Sequence, residues 1–537
     1  MKKINILLIM VVAGICPALA QWNTDATPVC IYDAAGEGDY FACNTKAVRT
    51  PDKKTWIAWH TWDVKEVNGI KRLAVRTFLQ LLDINGVPQF SQPIMVNDHV
   101  TSSWWSEYGL QVAADGSAIV TVADGRADEN SLPAEQDMSY LFSPAIYKID
   151  QQGNFLWGND GIAYTQYTNA AFTNCYVVGD DTFFIFYNSD DGDETTAEDP
   201  NLLGTFIQRV NADGTTAWSE PMAWADDFAQ PQILPSTDGH FLLFDKSPEG
   251  SVVHCFDRDF NEVWGEPVVY DDHKYDGYAM NQYCIAHDGK GGAAVAFVRN
   301  MGQFSHNIRV QHINADGSLG FGLTGLDAAN TEDNDYDYCN IAVNPKSEEI
   351  LVDFESQLPG SYDVMLQKFS FDGDYLFNDQ ALSIASKDMS TAYAFGKVGC
   401  GAVGDDEWIV AYRDVQNWVN SSFIIRRYDK DGNRLWTRTI GREIDPTSIC
   451  FFVEEEATYL FYRETRENKQ PGVKIFRIGN DGSYNVTYPE DLGVSALENT
   501  GNQTERYYDL SGREMPQAQR GLNIVRKSDG TVQKEIR

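Results

Sequence analysis

Short hydrophobic runs alternate along this chain with clusters of Asp, Asn and Gly. The stretch Tyr428–Trp436, YDKDGNRLW, shows the unit: an apolar run enters a polar cluster, and an aromatic follows four residues after the glycine. That order predicts a β-hairpin, because Asp and Asn side chains cap a tight turn and Gly takes the φ > 0 position other residues avoid. The unit recurs as LDINGVPQF ending at Phe90, IDQQGNFLW at Trp157, VNADGTTAW at Trp218 and FDRDFNEVW at Trp264. INADGSLGF at Phe321, SFDGDYLF at Phe377, YDKDGNRLW at Trp436 and a degenerate IGNDGSYNV at Val486 complete the series. The turn positions Gly86, Gly153, Gly214, Phe260, Gly317, Gly373, Gly432 and Gly482 lie 67, 61, 46, 57, 56, 59 and 50 residues apart. A strand-built repeat of about this length marks the blade of a β-propeller.

Inside a repeat the pattern predicts four antiparallel strands joined by short turns. In the third repeat these are Phe172–Val178, Thr182–Tyr187, Phe206–Val210 and Thr216–Trp224. The fourth repeat offers Pro231–Leu234, Phe241–Phe244, Val252–Phe256 and Val263–Tyr270. The signature turn then joins strands three and four, and its aromatic is expected on the fourth strand, packed against a neighbouring strand or blade. The fold class is all-β, a propeller of about eight four-stranded blades; seven blades plus an odd hairpin is the alternative, because Tyr484–Tyr488 makes a poor final strand. The apolar patch Val29–Tyr32 is a candidate ring-closing strand for the last repeat.

Charge narrows the partners. A formal net charge of −36 repels phosphate backbones and anionic lipid surfaces, so nucleic-acid binding is not expected. Lys2 and Lys3 precede an apolar run from Ile4 to Ile15, and Ala18-Leu19-Ala20 supplies a cleavage pattern, which predicts a signal peptide over 1–20. No later stretch reaches the length of a transmembrane span. Cys175, Cys284, Cys339 and Cys450 fall in first strands, where a small buriable residue suits the crowded axis. Cys30 with Cys43 is the pair to test first for a disulfide.

The candidate chemistry lies on one face. Loops between second and third strands share it with the loops joining successive blades, and both interleave acids with aromatics. The joining loops carry Trp104 and Trp105, Trp224 and Asp226, Asp271 and Tyr275, and Asp335, Tyr336 and Asp337. Aromatic rings beside carboxylates suit sugars, whose C–H faces stack while Asp accepts from hydroxyls. A glycosidase needs two carboxylates across a cleft, and Asp226, Asp271, Asp335 and Asp337 are all candidates. No catalytic residue is assigned. No metal site or cofactor is expected, with calcium the alternative because SDDGDE (189–194) and EDNDYDY (332–338) bunch hard oxygen ligands. GxSxG and HExxH are absent from the sequence.

Two resemblances add to this. The signature resembles the Asp/Gly/Trp repeats of secreted propellers of the quinoprotein-like and short bacterial propeller-repeat kinds. The quinoprotein repeat has one more residue between Asp and Gly, so no quinone site carries over. The C-terminal run Tyr508-Asp509-Leu510-Ser511-Gly512-Arg513, followed by Gly521-Leu522-Asn523-Ile524-Val525 and a basic end, resembles the sorting tail of type IX secretion substrates of Bacteroidetes-type bacteria. That resemblance implies transfer across the outer membrane by secretion machinery, with surface attachment. The expected organisation is a leader at 1–20, an N-terminal segment at 21–38, a propeller at 39–490, a linker at 491–506 and a sorting-like tail at 507–537. The expected role is a binding or scaffold module at the cell surface for a glycan or a protein. A glycan-degrading hydrolase or lyase is the runner-up, and a purely structural surface protein the third reading.

Overall fold

Each signature corner turns the chain through a left-handed residue. At Asp429 the Oδ1 atom accepts the N–H groups of Asp431 at 3.0 Å and Asn433 at 2.8 Å, while the Gly432 N–H donates to the Asp429 carbonyl at 3.1 Å. Gly432 sits at φ 81°, and the Asp429 N–H closes the bulged end on the Asn433 carbonyl at 3.0 Å. The same two backbone bonds form at Asp83, Asp150, Asn211, Asp257, Asn314 and Ser370. Phe260 adopts φ 64° in place of glycine, and its ring packs on Trp218 at 5.5 Å and Phe256 at 4.7 Å. Ring contacts offset the cost of that backbone conformation.

The computed structural model describes residues 21–33, 42–67, 70–99, 108–126, 142–189, 202–247, 250–272, 283–302, 305–329, 335–358, 360–388, 395–415, 421–441, 449–466, 469–486, 506–508, 514–515, 522–526 and 532–536. The chain divides into two units, Met1–Gly482 and Ser483–Arg537. In the first, eight four-stranded antiparallel sheets follow one another as blades of a propeller. Their innermost strands are Ala42–Arg49, Leu110–Val112, Ala170–Val178, Gln232–Pro235, Tyr283–His287, Asp335–Asn344, Phe395–Val403 and Ile449–Val453. Each touches the next, and the last touches the first, so the ring is closed. The second unit is a four-stranded antiparallel sheet of Arg506–Tyr508, Glu514–Met515, Leu522–Arg526 and Val532–Ile536. Tyr508 pairs with Glu514 and Ile524 there; Asp509, Leu510, Ser511, Gly512, Arg513 and Gly521 lie outside the described residues.

Closure comes from the N-terminal side. The outermost strand of blade 8 is Val29–Asp33, with Val29 opposite Ile475 and Tyr32 opposite Val473. Tyr484–Val486, expected to begin that strand, forms none. The predicted fourth strands of blades 3 and 4 also shorten, to Met222–Ala225 and Val268–Asp271. After the corner the chain makes a single bridge, Val210 to Thr216 or Phe256 to Glu262, and then leaves the ladder. Buried glutamines replace the lost ladder bonds: Gln80 Nε2 donates to the Phe90 carbonyl at 2.9 Å and Gln208 Nε2 to the Trp218 carbonyl at 3.0 Å.

This departure frees the aromatic to reach the next blade. A Cβ on Gly214 of blade 3 would stand 2.5 Å from Cδ1 of Trp157 in blade 2, so a side chain is excluded there. Trp264 lies likewise on Gly317, Phe377 on Gly432 and Trp436 on Gly482. Indole N–H groups donate to the carbonyl two residues before that glycine: Trp264 to Ala315 at 3.1 Å and Trp436 to Asn480 at 3.0 Å. A basic residue of the third strand joins them, as where Lys368 Nζ donates to the Lys430 carbonyl at 2.8 Å. Blade 8 has no aromatic at its own signature position, where Val486 stands. Trp22 supplies one: it is 4% exposed, lies on Gly86 of blade 1, and donates its indole N–H to the Ile84 carbonyl at 2.8 Å.

Apolar residues fill the spaces between blades, as where Trp56, Leu79, Tyr108, Val120 and Tyr147 meet between blades 1 and 2. Of the first-strand cysteines, Cys175 and Cys339 are buried and Cys284, Cys400 and Cys450 half-buried. Desolvation pushes Cys175 up to about 12, and Cys400 and Cys450 are also raised by burial, which keeps these thiols protonated as packing groups. The Cys30 thiol donates to the Tyr32 carbonyl at 3.1 Å, and the side chain of Cys43, the partner to test for a disulfide, lies outside the described residues.

Two outcomes follow from this packing. Trp22→Ala removes the eighth inter-blade aromatic and is expected to lower unfolding free energy by about 3–5 kcal/mol, read by urea denaturation. His60 is 1% exposed between blades 1 and 2, its ring 4.4 Å from Tyr108, with no hydrogen-bond partner on either ring nitrogen. Desolvation first, then Lys46, lowers its pKa from 6.5 to about 3. The unfolded chain therefore takes a proton below pH 6.5 that the folded one refuses until about pH 3, and stability falls with pH across that window. At about pH 4.5 the loss is about 2–3 kcal/mol. His60→Phe should flatten that slope in denaturation curves taken across pH.

Candidate functional site

Up-and-down blades put the turns between strands one and two, and between three and four, on one face of the ring. Loops between strands two and three, and those joining blades, take the other. On the turn face, corner glycines and signature aromatics are consumed in joining blades. The loop face is where the sequence places its candidate residues.

Trp224 lies in the outermost strand of blade 3 and is half-buried rather than open to a ligand. Its indole N–H donates to the Asp245 carboxylate, and its ring meets His254 at 5.4 Å and Phe256 at 6.2 Å. It is a packing residue between blades 3 and 4. Asp226, two residues on, is exposed. Asp271 closes the outermost strand of blade 4 and is 1% exposed; Arg299 of blade 5 lies 3.5 Å from it and 3.3 Å from Asp272. Asp335, Tyr336 and Asp337 open the innermost strand of blade 6, opposite Gln357, Ser356 and Glu355. Trp104, Trp105 and Tyr275 fall outside the described residues, as does most of SDDGDE. The described candidates are thus spread over blades 3, 4 and 6.

Other carboxylates near this face are held by arginine or amide partners. Arg126 grips Asp124 through two contacts of 2.8 Å, and Asn97 Nδ2 donates to the same carboxylate at 3.0 Å. Arg309 lies 2.6 Å from Asp327, and Asn340 Nδ2 donates to buried Asp353 at 2.9 Å. Carboxylates held in this way are committed to charge balance and hydrogen bonding. Among the described residues no group of three His, Cys, Asp or Glu side chains is arranged to hold a metal ion.

The sequence reading missed a second set of residues. Innermost strands of blades 1, 3 and 6 each bulge near the loop face through one left-handed residue: Asn44 at φ 53°, Phe172 at φ 50° and Tyr338 at φ 51°. Bulges re-aim a side chain at the cost of pairing, and a non-glycine residue there stores about 1–2 kcal/mol. Tyr338 is 43% exposed. Phe172 packs against Phe228 of the loop joining blades 3 and 4, with ring centroids 4.6 Å apart, and Tyr187 meets the same ring at 5.1 Å. Phe228 is itself 45% exposed. Its only sequence signal was an apolar residue directly after the acids of WADDF, too short a pattern to separate display from packing.

No protein-family model matches the chain. No curated protein matches it either. Solved structures share a distant likeness. A protein of unknown function from Dyadobacter fermentans is 10% identical, with 83% of this chain and 97% of that one covered at a TM-score of 0.35. The polysaccharide lyase Uly1 is 8% identical over 83% of this chain and 91% of its own, at 0.38. The β-propeller domain of the Trilobed protease from Pyrococcus furiosus is 10% identical over 71% and 98%, at 0.36.

Proposed function

We propose that this chain is an exported β-propeller that binds a glycan or a protein at the cell surface through its loop face, as a binding or scaffold module. The observation that carries the reading is a pair of left-handed bulges on that face, one presenting Tyr338 of blade 6 to solvent and the other seating Phe172 of blade 3 against the exposed Phe228 ring. Strain of this kind persists where surrounding structure enforces it, and it clusters at ligand sites. Asp124, Asp271, Asp327 and Asp353 are each tied to a cation or an amide, so none of these four is free to serve as the proton donor or nucleophile that a glycosidase needs. The reading calls for no cofactor.

Trp104, Trp105 and Tyr275 belong to the same proposed face, and delivery there would use the tail. Alanine at Trp104, Trp105, Tyr275 and Tyr338 together is expected to abolish retention on immobilised cell-envelope glycans and proteins. Alanine at the exposed residues Leu156 and Leu435, which flank signature aromatics, should leave it unchanged. The reverse result would move binding off the loop face. If the chain instead degrades a glycan, Asp335→Asn with Asp337→Asn should abolish turnover, and that outcome would replace the binding reading. Deleting residues 507–537 is expected to trap the protein in the periplasm, scored by surface proteolysis of intact cells; unchanged surface display would remove the sorting role.

A further inference from the structure

Between blades 3 and 4 the joining loop is fixed on both sides of one exposed ring. Thr205 of blade 3 is 0% exposed. Its hydroxyl donates to the Asp227 carbonyl at 2.9 Å and accepts the Ala229 N–H at 2.9 Å. Phe228, held between those anchors, leans on Phe172 at 4.6 Å with its plane turned by 53°, and receives the Tyr187 ring at 72°. Both neighbours support the ring while 45% of the residue stays open to solvent. The ring is therefore preorganised, and a ligand stacking on it would not have to order the loop. Asp226 and Asp227 flank it, both exposed, and neither carboxylate makes an ion pair or a hydrogen bond among the described residues. They contrast with the held carboxylates elsewhere on this face.

We infer that Phe228, with Asp226 and Asp227, forms a subsite for one sugar ring of a neutral glycan; this rests on the loop-face reading above and names its ligand class. An aromatic face takes the axial C–H groups of a pyranose, and free carboxylates accept hydrogen bonds from its hydroxyls. Charge sets the class. Two unpaired carboxylates in a chain of net charge −36 repel uronic, sialic and sulfated sugars and leave neutral ones unaffected. One supported ring matches the size of a single pyranose, whereas a stable protein interface buries about 1,200–2,000 Å² in total around a cluster of large anchors.

The test is affinity electrophoresis and calorimetry of the full chain against neutral polysaccharides (β-glucan, mannan, xylan) and anionic ones (polygalacturonate, alginate). Binding to a neutral polymer is expected. Phe228→Ala should weaken it by about 3- to 10-fold, the value of one aromatic stacking contact. Asp226→Asn with Asp227→Asn should weaken it less and relax the exclusion of polyanions. All three residues are exposed, so unchanged thermal melting would show that the variants fold. Neutral-glycan binding that Phe228→Ala leaves intact overturns this subsite but keeps the loop-face reading. Preference for polyanions, or retention of a protein alone through Phe228, overturns the ligand class. No retention of any glycan removes the subsite, and loss of protein binding as well removes the reading beneath it.

Discussion

The structure depends on one close contact repeated around the ring: a left-handed residue in each corner, glycine in seven and Phe260 in the eighth, receives the aromatic of the preceding blade. A β-carbon at that glycine would meet the ring, as 2.5 Å to Trp157 at Gly214 shows, so the turn residue answers two demands at once. It bends the backbone where other residues resist, and it clears a seat for the neighbour. The carbonyl exposed by the bend then receives an indole N–H and, at several junctions, a lysine or arginine. One short sequence unit thereby specifies both a hairpin and the interface to the next hairpin. Non-local packing in this ring is built from local grammar.

The same device explains how the circle closes. A closed ring has as many junctions as blades, so the last blade must offer blade 1 what every other blade offers its successor. Its own corner ends in valine at position 486 and offers no ring. Residues from the opposite end of the chain fill the role. Trp22 takes the aromatic seat, with the Arg477 guanidinium 5.4 Å from its ring, and Val29–Asp33 completes the sheet. Joining the two ends in one blade removes the exposed sheet edge.

The two faces of the ring differ in what their side chains do. On the turn side, aromatics and cations are used up by junctions. On the loop side, inner strands break regularity at Asn44, Phe172 and Tyr338, and two of the three displaced residues are aromatic. Tyr338, 43% exposed, holds a conformation that asparagine adopts more readily in blade 1. Carboxylates nearby are held by arginine or amide groups, whereas Asp226 and Asp227 stand open beside Phe228. Display of aromatics and free acids on a rigid ring is the arrangement expected of a recognition surface.

The amino-acid sequence by itself determined the corner, the number of corners and the antiparallel blade, because turn chemistry and strand alternation are local and were repeated. It also pointed to the correct first-strand positions for Cys175, Cys284, Cys339 and Cys450. Tertiary structure decided whatever depended on partners distant in the chain. The fourth strands of blades 3 and 4 begin later than the pattern suggests, since the signature aromatic must leave the ladder to reach the next blade. Trp224, which reads as a ligand platform, is held by Asp245 and His254, while the exposed ring belongs to Phe228, an undistinguished loop residue. Asp271 and Asp226, alike in sequence, differ because Arg299 approaches one and, among the described residues, no cation pairs with the other. Burial and charge pairing are properties of neighbours in space, and a repeat read along one strand carries no record of them.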